Sequence, residues 1–230
     1  MSEETNKLRR DIRSFVVRSG RMTLGQTRGW DEYWNTLGIE PNATLNFAEI
    51  FGNSNPVVLE IGFGMGGSLF EMAMADPSKN FVGVEVHRPG VGALLASVGD
   101  QGLSNLRVLC CDAVALLNNY VPDQSLSRIQ LYFPDPWHKK RHHKRRIVQR
   151  PFVELLAKKL MSSGIFHMAT DWEPYAEHMA KVMALSEQFE NCSSSGPYSE
   201  KPDYRPDTKF EARGIRLGHG VWDLLYRKAL

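Results

Sequence analysis

From residue 56 onward, short apolar runs alternate with amphipathic stretches of helical length, a pattern absent before it. Residues 57–61 form an apolar run that ends in glycines. Residues 68–75 then carry a helical pattern, stopped at Asp76-Pro77. A second strand is predicted over 81–86. Pro89 opens the helix after it, in the first turn, where a backbone N–H would find no partner anyway. A third strand spans 106–111 and leads into a short helix from Ala113. A fourth spans 128–133 and ends at Pro134. Pro151 opens a helix running to residue 160, with Phe152, Leu155 and Leu156 on one face. A fifth strand covers 165–169, a longer helix 173–188, and a last strand 220–226. Residues 192–207 are loop-rich, and within 1–55 only 31–37 and 47–51 read as short helices.

Strands alternating with helices at this spacing predict the α/β class, with a mostly parallel, doubly wound sheet. One domain is expected over 1–230, with a basic N-terminal extension over 1–50 and an α/β core over 56–230. Ligands of such sheets bind beyond the carboxyl ends of the strands, so the informative residues are those just after each strand.

Composition narrows the class. Hydrophobic residues make up 42% and charged residues 23%, the balance of a water-soluble protein with a substantial core. No apolar run approaches the roughly 20 residues of a membrane helix, and the polar, charged N-terminus does not read as a secretory signal. Three cysteines, with Cys110 and Cys111 adjacent, make no disulfide framework, so a reducing cytoplasm is expected. Both adjacent thiols are expected as small apolar residues of the third strand.

Charge changes the picture further. The formal net charge is only +2, but residues 7–28 carry a net +6 and residues 138–150 a net +7, so the other 195 residues carry −11. Two short basic blocks on an acidic body are the footprint of a polyanionic partner. A single such block would more often be a solvated loop.

Glu60 lies near the end of the first strand, and Gly62, Gly64, Gly66 and Gly67 fall in the turn between that strand and its helix. Glycines there let the backbone turn sharply and approach a ligand closely. Glu85 ends the second strand, where a carboxylate accepts from ribose hydroxyls. Asp112 ends the third, placed for an adenine amino group. Gly62, Gly64 and Gly67 also fit the dinucleotide fingerprint, so a nicotinamide-dependent oxidoreductase is the first alternative. Glu60 argues for S-adenosylmethionine, because a carboxylate there repels a pyrophosphate and suits an ammonium and a sulfonium.

The stretch Tyr132-Phe133-Pro134-Asp135-Pro136-Trp137-His138-Lys139 follows the fourth strand. Its prolines fix the backbone around Asp135, Trp137 offers a face for stacking a base, and Lys139, Lys140, Arg141, Lys144, Arg145 and Arg146 are candidate phosphate ligands. His138 and His142 stand four apart, but the flanking cations repel a divalent ion and no metal is expected.

These segments resemble the bacterial tRNA (guanine-N7)-methyltransferase family. The matching stretches are Arg13-Ser14-Phe15-Val16, residues 59–66, Gly83-Val84-Glu85-Val86-His87, residues 133–139, Ala169-Thr170-Asp171-Trp172-Glu173-Pro174-Tyr175 and Thr208-Lys209-Phe210-Glu211. The resemblance covers nearly the whole chain. It implies a class I S-adenosylmethionine-dependent methyltransferase fold with an antiparallel last strand, acting on N7 of a guanine in the variable loop of tRNA, at position 46. By the same resemblance Glu60, Gly62, Gly64, Gly66, Glu85, Asp112 and Asp135 bind the cofactor or line its pocket. Lys139, Asp171, Thr208, Lys209, Phe210 and Glu211 contact the substrate, and Asp135 is the catalytic candidate. The expected partner is tRNA, with no membrane, no metal and no obligate protein partner, as a cytoplasmic monomer or homodimer. A non-catalytic RNA-binding protein on a methyltransferase scaffold, and a methyltransferase for a protein or small molecule, are the remaining alternatives. Intact strand-end acids argue against the first and the basic blocks against the second.

Overall fold

The computed structural model describes residues 13–16, 20–207, 211 and 220–229. Its elements follow in chain order as α1 (Leu24–Leu37), α2 (Phe47–Phe51), β1 (Val57–Ile61), α3 (Gly67–Ala75), β2 (Asn80–Val84), α4 (Arg88–Asp100), β3 (Leu106–Leu109) and α5 (Ala113–Asn119). Then come β4 (Leu126–Tyr132), a 3-10 helix (Lys140–Arg145), α6 (Arg150–Lys159), β5 (Leu160–Thr170), α7 (Glu173–Ala184), β6 (Phe189–Asn191) and β7 (Trp222–Lys228).

The strands form one sheet in the order β3-β2-β1-β4-β5-β7-β6. Strands β1 to β5 pair in parallel, and β7 pairs antiparallel with both β5 and β6. β1 and β2 are buried along their whole length, as central parallel strands must be when helices cover both faces. Side chains alternate between the layers. Val57, Leu59 and Ile61 join the core under α5, α6 and α7, while Val58 packs with α3 and α4. The strand order reverses between β1 and β4, which opens a crevice at their carboxyl ends.

Several boundaries differ from the sequence reading. α1 begins at Leu24 and not at residue 31, because Gly25 and Gly29 hide its pattern. Thr23 and Gln26 form a capping box at its start. Gly29 is required by packing, since a Cβ there would stand 2.2 Å from the Gly92 carbonyl oxygen of α4. Ile39 N–H donates to the Val108 carbonyl at 2.8 Å and Gly38 bridges Val108 in parallel, so the residues after α1 lie along the outer edge of β3. β2 stops at Val84 and β3 at Leu109, leaving Glu85 and Asp112 in the turns beyond. β5 starts five residues before the expected residue 165, and Leu160 pairs with Leu126 across a register shift. β6 is three residues long with two of them exposed, too short for a period to be read.

Candidate active site

A cavity of about 480 Å³ occupies the crevice, within the size range of cofactor sites. The turns after β1, β2, β3 and β4 supply Gly62, Glu85, Asp112 and Asp135 to its wall. The glycine turn is shaped by φ values of +74°, +61° and +81° at Gly62, Gly64 and Gly66. A side chain is strained at each of these. At Gly66 a Cβ would also stand 2.7 Å from the Cβ of Leu94, so that glycine lets α3 approach α4. Around Gly62 and Gly64 a Cβ would meet nothing within 4 Å, which leaves open space beside the backbone for a ligand.

Glu85 knits the next turn together. Its Oε2 accepts the Gly64 N–H at 3.0 Å, and its Oε1 accepts the N–H groups of Val86 and His87 at 2.6 and 2.9 Å. A carboxylate offers about four acceptor sites, so these three bonds do not exhaust it. Asp112 caps α5 with a single oxygen, Oδ1, which accepts from Val114 and Ala115 at 2.8 and 3.0 Å.

Asp135 is exposed at the cavity mouth, between two residues in left-handed backbone, Phe133 at φ +49° and Trp137 at φ +50°. Non-glycine residues held there store strain, and such strain concentrates at functional sites. The neighbouring structure holds it. Phe133 N–H donates to the Ala169 carbonyl at 2.8 Å. The Trp137 indole N–H donates to the Ser14 carbonyl at 3.1 Å. His138 meets Trp172 edge-on at 4.4 Å, which ties the loop after β4 to the turn after β5 that carries Asp171.

Behind Tyr132, a cavity-wall residue, runs a buried polar network. Its hydroxyl lies 2.8 Å from His167 Nδ1, and His167 Nε2 lies 2.8 Å from Asp223. Arg205 donates to Asp223 from Nε and Nη2 at 2.7 and 2.8 Å. Burial lowers the His167 pKa, so the ring is neutral near pH 7. Burial alone would raise the Asp223 carboxyl, but the bonds from His167 and Arg205 outweigh it and hold it below its ordinary value. An ionised Asp223 only accepts, so His167 donates to it from Nε2 and accepts a hydrogen bond at Nδ1, where the hydroxyls of Tyr132 and Tyr204 lie 2.8 and 3.0 Å away.

Residues 54–224 match the family described as "Putative methyltransferase". A tRNA (guanine-N(7)-)-methyltransferase of Shewanella amazonensis is 59% identical over 221 residues, covering 95% of this chain and 92% of the relative. The enzyme of that name from Vibrio cholerae is 59% identical over 227 residues, covering 98% and 95%. The chain belongs to the tRNA (guanine-N7)-methyltransferase family. The 16S rRNA methyltransferase KamB superposes with a TM-score of 0.60 at 17% identity, over 80% of this chain and 93% of that one. The fold is therefore that of the class I S-adenosylmethionine-dependent methyltransferases, with the antiparallel strand β7 near the end of the chain.

Against the residues marked for this family, the placement is uneven. Gly62, Glu85, Asp112 and Asp135 line the cavity, and Gly64 and Gly66 shape its turn. Glu60 does not line it. Strand alternation turns Glu60 to the α3 side of β1, where it is 3% exposed, and burial pushes its carboxyl up to about 8. Burial thus favours its neutral form, against the partial opposition of Arg128, and weakens the case for a charge at this position repelling a pyrophosphate. Lys139 is exposed just ahead of the 3-10 helix, and Asp171 is half-buried beyond β5. Thr208, Lys209 and Phe210 lie outside the described residues. Glu211 is buried, with its carboxylate on Arg205 at 2.7 and 3.1 Å.

The basic block divides. Lys139, Lys140, Arg141 and Lys144 are exposed. Arg146 is 4% exposed and donates to the Pro136 carbonyl at 2.9 Å, so it is a structural cation and not a phosphate ligand. Arg145 donates to backbone carbonyls of Arg13 and Phe15. The sequence reading gave no role to Ser14, Phe15 and Val16, which line the cavity. Their presence among the family's matching stretches was the available signal.

Proposed function

We propose that this chain transfers the methyl group of S-adenosylmethionine to N7 of a guanine in the variable loop of tRNA, at position 46. The observation that carries the reading is the identity of 57–59% to tRNA (guanine-N(7)-)-methyltransferases over 95–98% of the chain. The cavity is consistent with it. Open space beside Gly62 and Gly64, with Glu85 and Asp112 on the same wall, fits an adenosyl group, and no pyrophosphate cradle is needed.

The cofactor supplies a methyl group on a cationic sulfur. Guanine N7 carries an in-plane lone pair and no proton, so no base has to remove one. This chain then has two tasks, placement and electrostatics. Asp135 stands at the mouth on its strained loop, and Asp171 is linked to that loop through Trp172 and His138. One of these carboxylates accepts the guanine N1–H and amino group. That selects guanine and favours the ring as it becomes cationic. Lys139, Lys140, Arg141 and Lys144 hold tRNA phosphates beside the mouth.

The test is incubation with labelled S-adenosylmethionine and bulk tRNA, followed by digestion to nucleosides. Label in 7-methylguanosine supports the reading, and label in any other nucleoside overturns it. A melting-temperature rise with the nicotinamide cofactor, and none with S-adenosylmethionine, would favour the oxidoreductase instead.

A further inference from the structure

The second basic block was expected to meet tRNA phosphates throughout, yet Arg145 turns inward. Its Nε donates to the Arg13 carbonyl at 3.0 Å and its Nη2 to the Phe15 carbonyl at 3.1 Å. Its guanidinium carbon lies 3.9 Å over the Trp137 ring. Trp137 donates in turn to the carbonyl between those two, that of Ser14, at 3.1 Å. Three consecutive carbonyls of the N-terminal segment are thus gripped by one stacked pair of side chains. The same segment, through Ser14, Phe15 and Val16, forms a wall of the cavity.

Trp137 is also in left-handed backbone, two residues after Asp135. A tryptophan adopts that conformation at a cost, so something must offset it. The bond to Ser14 and the stacked guanidinium do so. The grip therefore acts in two directions. It lays residues 13–16 across the cavity, and it holds the loop that presents Asp135.

We infer that Arg145 is a positioning residue, which, with Trp137, clamps residues 13–16 as the outer wall of the cofactor cavity and is not a tRNA phosphate ligand. The inference rests on the reading that the cavity takes S-adenosylmethionine. A guanidinium is suited to this task, because its planar fork spans two carbonyls while its face stacks on an indole. A lysine keeps the charge but has neither the fork nor the face.

That difference supplies the test. Arg145→Lys and Arg145→Ala are made in the full chain, and S-adenosylhomocysteine binding is measured by calorimetry. Loss of bonds to a charged donor predicts a Kd raised about tenfold in both variants. The salt dependence of tRNA binding stays at the wild-type slope in both. Cleavage by trypsin after Arg13 gives a readout independent of the cofactor. It should speed up by about tenfold in both variants, following the population of the released segment. Trp137→Phe keeps the aromatic face and loses the indole N–H, and it should move the Kd and the cleavage rate in the same directions by a smaller factor.

Unchanged cleavage after Arg13 in the Arg145 variants overturns the clamp. So does a Lys variant that binds S-adenosylhomocysteine like wild type while the Ala variant flattens the tRNA salt slope, since charge alone would then be the requirement. A wild-type chain that fails to bind S-adenosylhomocysteine contradicts the cofactor reading instead, and leaves the cleavage readout to decide the clamp.

Discussion

Glu60 stands opposite Gln130 in the register of β1 and β4, and each keeps a buried oxygen, Glu60 Oε2 and Gln130 Oε1, with no hydrogen-bond partner among the described residues. Two acceptors facing one side of the sheet are mismatched if the carboxyl is charged. A proton on the carboxyl supplies a donor on that side, and burial raises its pKa to about 8. An amide at position 60 supplies a donor at every pH. The unfolded chain ionises Glu60 near the ordinary carboxyl value while the folded chain keeps the proton, so the folded state loses stability as pH rises from about 4.5 to 8. Glu60→Gln removes that loss. Its unfolding free energy should exceed the wild type's by a margin that grows between pH 5 and 8, at up to about 1.4 kcal/mol per pH unit. Its affinity for S-adenosylmethionine should stay within about threefold, well short of the tenfold that 1.4 kcal/mol represents. A tenfold or greater loss of affinity would mean that the charge of Glu60 serves the cofactor after all.

Arg205 is fully buried between the carboxylates of Asp223 and Glu211. Removing it takes the shared cation from two buried carboxylates, leaving Asp223 with His167 at 2.8 Å and Glu211 with Lys201 at 3.6 Å. Arg205→Met should therefore cost about 3–5 kcal/mol in denaturant unfolding. The loss should shrink in acid, as the Asp223 carboxyl, held below its ordinary value, takes up a proton. A cost below about 1 kcal/mol, the level of an exposed ion pair, would show that the pair is solvated in solution.

The exposed cations predict a graded effect on RNA affinity. Replacing Lys139, Lys140, Arg141 and Lys144 by Ala should weaken tRNA binding and lower the slope of log K against log salt by about 0.7–0.9 for each phosphate no longer neutralised. Arg146→Ala should lower the melting temperature and leave that slope intact, because its guanidinium is engaged with backbone carbonyls and the face of Tyr175. A slope unmoved in the quadruple variant would place the tRNA on another face.

Glycine substitutions separate strain from steric clash. Gly64→Ala meets open space and suffers only its φ of +61°, a cost of about 1–2 kcal/mol. Gly66→Ala adds a collision with the side chain of Leu94 and should be the more destabilising of the two in thermal unfolding. Equal losses would mean that α3 and α4 separate readily.

The sheet was legible because its buried parallel strands are short and mostly apolar, as at residues 57–61, which Pro56 and Gly62 bound. The turns after those strands were legible too, so Gly62, Glu85 and Asp112 stood out from strand ends and glycines, and Asp135 from its flanking prolines and the family resemblance. What stayed hidden depends on tertiary placement. A strand's period places Glu60 on a face, but only the packing of α3 shows that this face is dry. A run of cations looks uniform in sequence, and only the fold turns Arg145 and Arg146 inward while Lys139 and Lys144 stay out. The helix α1 was cut short because Gly25 and Gly29 count against a helix until the close approach to Gly92 explains one of them.

The central claim is a guanine N7 methyl transfer organised around Asp135 at the mouth of the cavity. Its most direct test compares the wild-type chain with Asp135→Ala, using labelled S-adenosylmethionine and bulk tRNA, with nucleoside identification and a parallel measurement of S-adenosylhomocysteine binding. The account predicts 7-methylguanosine as the labelled product of the wild type. It also predicts that Asp135→Ala turns over about a hundredfold more slowly or worse, while still binding S-adenosylhomocysteine. A different labelled nucleoside, or 7-methylguanosine formed by Asp135→Ala at the wild-type rate, would contradict it.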